Sequence, residues 1–211
     1  VNHDTIIAES GALLSQVATA ALNNSLGGFE FAHGIPGTLG GALAMNAGAY
    51  GGEMKDVTKS VQVLNEVGEI ITLNKEELDF GYRQSRIQKH NYLVIAATLQ
   101  LAFKDQAQIG NTMKELAARR REKQPLEFPS AGSAFKRPEG YYAGQLIMES
   151  GLRGYQIGGA RVSDKHCGFI INTGDALATD VLALIEYIQN EVYKRFKVML
   201  EPEIKLIGEM Q

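Results

Sequence analysis

The chain has 211 residues, a formal net charge of −3 and a hydrophobic content of 45%. This length is enough for one large domain or two small ones, and the slightly acidic balance argues against a general nucleic-acid binder. No apolar run is long enough to span a membrane. The single cysteine, Cys167, excludes an internal disulfide and a multi-cysteine metal site. The absence of disulfides is typical of a cytoplasmic protein.

Hydrophobic patterning predicts helices and strands that follow one another without a regular order. In the first part of the chain the predicted elements are a strand at 5–8, a helix at 12–26, strands at 61–64, 69–73 and 92–103, and a helix at 109–123. Gly68, between the second and third of these strands, predicts a β-hairpin. Gln124 and Pro125 end the last helix, and we expect a domain boundary near them.

The second part of the chain is also mixed. Its predicted elements are a short helix at 142–150, strands near 162 and at 168–172, a long helix that Thr179 and Asp180 cap and that runs to 196, and a final strand at 204–207. Because helices and strands intermix without a βαβ rhythm, the sequence predicts an α+β fold.

The most distinctive stretch is HGIPGTLGGALAMNAGAYGG, from His33 to Gly52, with seven glycines and no Asp, Glu, Lys or Arg. Glycine lets backbone N–H groups approach a ligand closely, and no charged side chain competes with them for an anion. The pattern is typical of a cradle for a flat, phosphate-bearing ligand, but also of a glycine-dense core turn. Its spacing matches neither G-x-G-x-x-G nor the Walker loop.

Three polar residues, Arg83, Ser133 and Glu203, stand in contexts that core packing does not explain. Taken singly, each is equally consistent with a solvated surface position or, for Ser133, a turn hydroxyl. Seven basic residues between Lys114 and Arg137, against three acidic ones, give this stretch a local charge of +4. That charge suits a diphosphate ligand or the solvated face of a helix.

Four motifs of this chain resemble, in order and in separation, those of the UDP-N-acetylenolpyruvoylglucosamine reductases, the MurB family. They are the glycine loop at 34–51, Tyr82-Arg83-Gln84-Ser85, Pro129–Pro138 and Leu200–Glu203. The resemblance covers essentially the whole chain and is to the form without an extra tyrosine-bearing substrate loop. The family's first pyrophosphate-binding loop has no match before His33. We therefore expect an upstream segment to be missing and flavin to be bound weakly or not at all by this chain, whereas the full-length protein should bind it.

The resemblance implies a fold and a setting. The fold is α+β: the second part of a VAO/PCMH-type FAD-binding domain at 1–122, a smaller α+β substrate-binding domain at 123–198, and a C-terminal strand at 199–211 that returns to the FAD domain. The implied setting is the cytoplasm, where a monomer without metal, nucleic acid or membrane contacts takes part in peptidoglycan precursor synthesis for the cell wall.

The resemblance also implies roles for particular residues. Those that bind FAD are Pro36, Gly37, Gly40, Gly41, Asn46, Gly48, Ala49 and Tyr50. Those that bind the substrate are Tyr82, Lys136, Arg137 and His166, with Arg137 on the diphosphate. The catalytic set is Arg83, Ser133 and Glu203.

The implied reaction is the reduction of UDP-N-acetylglucosamine enolpyruvate, with hydride passing from NADPH through FAD to the β-carbon. Arg83 and Glu203 polarise the substrate carboxylate, and Ser133 delivers a proton to the α-carbon. A glutamate that faces a carboxylate has to be protonated or bridged through water, because two adjacent carboxylates do not both ionise readily.

Other chemistries fit less well. Ser133 is not in the G-x-S-x-G context of an acyl-transfer nucleophile, and adjacent residues of a predicted strand, such as His166 and Cys167, point to opposite faces. The four histidines and one cysteine form no metal pattern. Two alternatives stay open, namely a non-catalytic nucleotide-sugar-binding fragment and a flavin oxidoreductase of the same fold with another substrate.

Overall fold

The computed structural model describes residues 1–208, which divide into two compact units. The first unit is Val1–Arg120, and the second begins at Arg121. Both contain helices and strands, as the sequence predicts. No helix within residues 1–208 combines the length and the apolar character that a membrane crossing requires.

The first unit is built on antiparallel strands with helices between them. Its strands are β1 (Thr5–Glu9), β2 (Leu26–Gly27), β3 (Gly48–Ala49), β4 (Gly52–Glu53), β5 (Thr58–Leu64), β6 (Ile70–Asn74), β7 (Leu93–Gln100) and β8 (Ala102–Phe103). Its helices are α1 (Leu14–Asn23), α2 (Leu39–Ala44), α3 (Met54–Val57), α4 (Arg86–Lys89) and α5 (Gln106–Lys123), and short 3₁₀ turns lie at Glu30–Ala32 and Lys75–Leu78. The division between the units falls inside α5.

A four-stranded antiparallel sheet in the order β1-β7-β5-β6 forms the centre of this unit. The predicted hairpin is present: β5 pairs with β6, with Val61 opposite Leu73, and Gly68 in the turn has a φ of 83°. Val61 also lies opposite Ala97 of β7, and all three side chains are buried. The alternating pattern therefore identified the core face of the sheet correctly.

Two predicted elements of the first unit are shorter than expected. Helix α1 ends at Asn23 rather than at residue 26, because Ser25 adopts a left-handed φ of 56° and Leu26 pairs with Phe103 in β2–β8. The strand predicted at 92–103 is interrupted at Leu101, whose N–H donates to the carbonyl of Asp4 at 2.9 Å. After Leu101 the chain no longer pairs with β1 but continues as β8, which pairs with β2. Apolar alternation alone does not indicate such a change of partner.

The second unit has a four-stranded antiparallel sheet in the order β10-β11-β12-β9, with two helices packed on it. Its strands are β9 (Ser130–Ser133), β10 (Gln156–Ile157), β11 (Ala160–Val162) and β12 (Phe169–Asn172), and its helices are α6 (Ala143–Glu149) and α7 (Ala178–Phe196). The core contains one face of α7, formed by Leu184, Ile185, Ile188 and Val192.

The start of α7 differs slightly from the prediction. Leu177 is the N-cap residue, and Asp180 accepts a hydrogen bond from the Leu177 N–H at 3.0 Å, so the aspartate does cap the helix, from its first turn. The strand predicted at 204–207 is wrong, because these residues form no ladder and only Pro202, before them, bridges to Phe135. Apolar alternation gives an extended segment one hydrophobic face, but the segment forms a β-strand only if a neighbouring strand pairs with it. The return of 199–211 to the first domain stays a prediction, and residues 209–211 lie outside the described residues.

Candidate functional site

The glycine loop of the first unit contains helix α2 followed by the tight hairpin β3–β4. Tyr50 and Gly51 form its two-residue turn, and both have left-handed φ values, 54° and 87°. Such a turn suits glycine or asparagine at both positions, and a bulky residue there is an outlier. The strained backbone holds the Tyr50 ring at the surface, where it is 42% exposed.

Gly37 is the most open point of the loop. Its φ of 128° is accessible to glycine alone, and a Cβ atom added to it would meet nothing within 4 Å. Its carbonyl accepts a hydrogen bond from the Leu14 N–H at 3.1 Å, so the turn is fixed although one side faces free space. The residues that would hold FAD therefore fit a flat anionic ligand: the backbone is open, and the loop carries no carboxylate.

The eight predicted FAD-binding residues differ in exposure. Pro36, Gly37, Gly41 and Tyr50 are exposed, Gly40, Gly48 and Ala49 are half-buried, and Asn46 is fully buried.

Asn46 ties the loop together from the inside. Its side-chain amide donates to Glu53 Oε2 at 2.6 Å and to the Gly81 carbonyl at 3.0 Å, and its Oδ1 accepts from the Lys55 N–H at 2.9 Å. Both amide hydrogens are thus used within the protein. A direct contact of Asn46 with FAD stays a prediction, whereas its structural effect is to fasten the loop to the segment that begins at Gly81.

Arg83 lies in that segment, in a two-residue turn closed by backbone hydrogen bonds between Gly81 and Gln84 at 3.0 and 3.4 Å. Its φ is 55°, a left-handed value that is uncommon for a residue with a long side chain. The guanidinium carbon of Arg83 is 5.2 Å from the ring centroid of Tyr82, whose side chain is exposed. Backbone strain of this kind is concentrated at functional sites.

Ser85 gives the Arg83 turn a second attachment to the glycine loop. It is fully buried, its hydroxyl donates to the Ala44 carbonyl at the end of α2 at 2.6 Å, and it caps α4. Together, Ser85 and Asn46 bring Arg83 to the glycine loop within the first unit. In the sequence, Ser85 stands out only as part of a motif, and nothing there indicates that it is buried.

Ser133 ends strand β9 of the second unit and lies opposite Phe169 of β12. Gly132 precedes it with a φ of 82°, and the β9–β12 register is irregular, so the strand bends where Ser133 is exposed. The proposed proton donor thus stands at an irregular strand end rather than on a regular ladder.

The backbone pairs the segment that contains Glu203 with the segment that directly follows Ser133. The Glu203 N–H donates to the Ala134 carbonyl at 2.9 Å, and the Lys136 N–H donates to the Glu201 carbonyl at 2.8 Å. These two bonds, with the bridge between residues 135 and 202, form a short antiparallel pairing. Two motifs far apart in the sequence therefore meet in the second unit, next to the predicted proton donor.

The predicted substrate-binding cations lie on the same segment. Lys136 forms an ion pair with Glu201, and the guanidinium carbon of Arg137 is 4.1 Å from the ring centroid of Tyr142. Both cations, together with Met199, line an open cleft of about 370 Å³. Tyr142, which is 60% exposed, was not singled out by the sequence analysis. Its position just before a short helix gave no functional signal.

His166 and Cys167 lie in a turn before β12 and not in the strand that the sequence analysis assumed. The Nδ1 of His166 accepts a hydrogen bond from the Gly168 N–H at 3.1 Å, which places the proton of the neutral ring on Nε2. Burial lowers the pKa of His166, and burial raises the pKa of the Cys167 thiol. Within residues 1–208, no group of three His, Cys, Asp or Glu could hold a metal ion.

Comparisons with known proteins identify the family. A family model described as "UDP-N-acetylenolpyruvoylglucosamine reductase, C-terminal domain" matches residues 124–207, and one described as "FAD binding domain" matches residues 1–74. The UDP-N-acetylenolpyruvoylglucosamine reductase of Caldanaerobacter subterraneus subsp. tengcongensis is 58% identical over 204 residues, which are 97% of this chain and 68% of that protein. The chain belongs to the UDP-N-acetylenolpyruvoylglucosamine reductase family.

Two further comparisons agree with this family, MurB. The UDP-N-acetylenolpyruvoylglucosamine reductase of Lachnoclostridium phytofermentans is 60% identical over 200 residues, 95% of this chain and 64% of that protein. The crystal structure of the MurB reductase from Thermus caldophilus matches with a TM-score of 0.83 at 37% identity, covering 94% of this chain and 71% of that one. The chain thus spans about two thirds of the length of these curated relatives, 64% and 68%.

The MurB comparisons confirm the predicted fold class and the family resemblance. The first 74 residues match an FAD-binding domain, and the second unit contains the match to the reductase C-terminal domain. The family consists of FAD-dependent oxidoreductases, as the sequence analysis expected. The roles of individual site residues stay predictions.

Proposed function

We propose that this protein reduces UDP-N-acetylglucosamine enolpyruvate to UDP-N-acetylmuramate with FAD and NADPH. The observation that carries the proposal is the backbone pairing that sets Glu203 opposite Ala134, the residue after Ser133, within the unit that matches the reductase C-terminal domain. The second half of this reaction needs a proton donor and a group that polarises the substrate carboxylate, and this pairing brings together the main-chain segments that carry the two candidates. We further propose that the protein acts as a monomer in the cytoplasm, in peptidoglycan precursor synthesis for the cell wall.

The glycine loop would hold the FAD. Open backbone at Gly37 and Gly41, the exposed Tyr50 ring and the absence of loop carboxylates all support this assignment. When bound, FAD would supply the hydride chemistry that connects NADPH to the β-carbon of the enolpyruvyl double bond. The fixed hairpin of the loop contributes by presenting its groups without further ordering on binding.

Arg83 would act on the substrate carboxylate. As hydride arrives at the β-carbon, negative charge develops on the α-carbon and spreads into the carboxylate. A permanently charged guanidinium stabilises that charge directly. The strained turn that holds Arg83, fastened by Asn46 and Ser85, keeps the guanidinium oriented before the substrate arrives.

Ser133 would complete the reaction by delivering the hydroxyl proton to the α-carbon. A serine hydroxyl is a weak acid, so it transfers a proton only to a strong base such as the enolate that the hydride creates. Glu203, protonated or through a bridging water, would share the polarisation of the carboxylate. Lys136 and Arg137 would bind the diphosphate from the edge of the cleft that they line, with His166 as a further substrate contact.

The experiment that tests this function begins with the visible spectrum of the purified full-length protein. We expect flavin absorbance, its bleaching by NADPH, its return on addition of the enolpyruvyl UDP-sugar, and a product two hydrogens heavier by mass spectrometry. A flavin that is bleached but reoxidised only by other acceptors would contradict the substrate. A colourless protein that binds the UDP-sugar in calorimetry would contradict the enzyme and favour a nucleotide-sugar-binding module.

A further inference from the structure

Three consecutive arginines, Arg119, Arg120 and Arg121, lie near the end of helix α5, and the sequence treats them as one run of positive charge. The structure separates two of them. Arg119 is exposed and places Nη2 2.6 Å from Glu115 Oε1, one helical turn earlier. Arg120 instead turns toward the glycine loop within the first unit. Consecutive helical residues point in different directions, so neighbours in one run need not share a function.

The Arg120 guanidinium lies against both ends of the glycine loop. A Cβ atom built on Gly34, at the start of the loop, would lie 3.2 Å from Arg120 Nε and 3.4 Å from Cζ. At the other end, the ring centroid of Tyr50 is 6.0 Å from Arg120 Cζ. A side chain at position 34 would press against the guanidinium, which would have to shift by a few tenths of an ångström. The glycine there therefore makes room for a cation.

This cation is not neutralised within the described protein. Arg120 Nε is buried and has no hydrogen-bond partner among residues 1–208, and no ion pair of those residues includes Arg120. The loop itself has no charged side chain between Gly34 and Gly52. A buried donor without an acceptor is unfavourable, so a guanidinium held in this way favours an anion beside the loop.

We propose that Arg120 supplies the positive charge for the anionic part of a flavin bound in the glycine loop. The inference rests on the FAD binding of the proposed function and adds a residue that none of the four motifs contains. The group that Arg120 would bind is an anionic oxygen, which accepts hydrogen bonds from the guanidinium. Two parts of FAD have it: the pyrophosphate, which is always charged, and the N1–C2=O edge of the ring, which becomes anionic on two-electron reduction.

The test compares Arg120→Met with Arg119→Met, which makes the same chemical change one residue away on an exposed ion pair. FAD affinity is measured on the stripped protein by flavin fluorescence. Arg120→Met should raise the Kd about ten- to a hundred-fold, the range for a lost hydrogen bond to a charged group, whereas Arg119→Met should change it less than about two-fold. Arg120→Lys should restore part of the loss, since it keeps the charge without the planar donors.

Two further measurements identify the anion. If Arg120 faces the pyrophosphate, Arg120→Met should weaken FAD but not riboflavin, which has no phosphate, and should leave the midpoint potential unchanged. If it faces the ring, the reduced form should be weakened most. The midpoint potential should then fall by about 30 mV for each ten-fold of preferential weakening.

Several outcomes would overturn the inference. If Arg120→Met keeps the wild-type FAD affinity and potential but unfolds at a lower temperature, Arg120 merely supports the loop by packing, and only this inference fails. If the full-length wild-type protein binds no flavin, the proposed function fails with it. Should Arg120→Met not fold, Arg120→Gln is the second variant, because it removes the charge and keeps a polar side chain of similar reach. A wild-type Kd for Arg120→Gln would contradict the proposal.

Discussion

The two units hold their candidate functional groups in different ways. In the first, Arg83 sits in a strained turn that buried side chains, Asn46 and Ser85, fasten to the glycine loop. In the second, Ser133 and Glu203 lie on segments that are placed by main-chain pairing. Where buried side chains hold a segment in place, a substitution of one of them affects both the position of the functional residue and the stability of the unit. Where main-chain hydrogen bonds hold the segment, a functional side chain can be substituted without loss of those bonds.

The comparison predicts that activity and stability separate in the second unit. Ser133→Ala should leave NADPH-driven bleaching of the flavin nearly intact and slow reoxidation by the UDP-sugar about 10²–10⁴-fold, the usual loss for a general acid. Its stability should change by less than about 0.5 kcal/mol. Stopped-flow absorbance follows both half-reactions, with Ser130→Ala as the matched control. Equal slowing of both steps would assign Ser133 to positioning, and slowing of neither would place the proton donor elsewhere.

In the first unit we expect activity and stability to fall together. Asn46→Ala leaves the Gly81 carbonyl and Glu53 without their donor in a fully buried position. The loss should be about 3 kcal/mol, a few unpaired or lost hydrogen bonds. Asn65→Ala removes the same group from an exposed hairpin turn and should cost under about 1 kcal/mol. Urea unfolding measures both, and an Asn46→Ala protein as stable as Asn65→Ala would break the comparison.

Arg137 tests whether an exposed cation of the second unit acts only through binding. Arg137→Ala should raise the KM for the UDP-sugar about ten- to a hundred-fold, as expected for a lost charge-assisted contact, with stability nearly unchanged. Arg195→Ala, an exposed arginine on α7, is the control. Steady-state kinetics at saturating NADPH report the KM, and a wild-type value for Arg137→Ala would remove this residue from the diphosphate site.

The smallest expected effect is the pH dependence at His166. Burial lowers its pKa below the ordinary value of 6.5, so the unfolded chain takes up a proton at higher pH than the folded chain does. The contribution of neutral His166 to the free energy of unfolding is therefore complete above about pH 6.5. It is lost as the pH falls toward the lowered pKa of the folded state. The Tm of the wild type should drop below that of His166→Gln increasingly between pH 7.5 and 5. Parallel curves would show that His166 does not titrate with unfolding.

Much of the fold follows from the sequence, but the partners of its elements do not. Alternation predicted the β5–β6 hairpin and the core face of α7, since burial on one face leaves a period in the sequence. It failed at Leu101 and at 204–207, where the answer depends on which strand lies alongside. Strand pairing is set by distant parts of the chain, and a local pattern carries no record of it.

The candidate site shows the same limit. Motif resemblance identified Arg83, Ser133 and Glu203, yet no spacing indicated that Asn46 is buried with its amide fully used. In the sequence, Arg120 belongs to one run of positive charge with Arg119 and Arg121. Only the direction of each side chain on the helix shows that Arg119 and Arg120 have different surroundings. What the sequence cannot supply is the identity of the buried polar contacts, which join residues far apart in the chain.

The pairing of Ala134 with Glu203 also has a consequence in time. The two partners of the second unit's site, Ser133 and Glu203, stand 70 positions apart in the sequence. At about 5–20 residues per second of synthesis, roughly 4–14 s pass between them on the ribosome. During that interval the nascent chain carries the serine without its glutamate, and the edge beyond β9 is open to other partners. A stalled or prematurely released chain would thus expose that edge, which gives chaperones and proteases a means of recognising it.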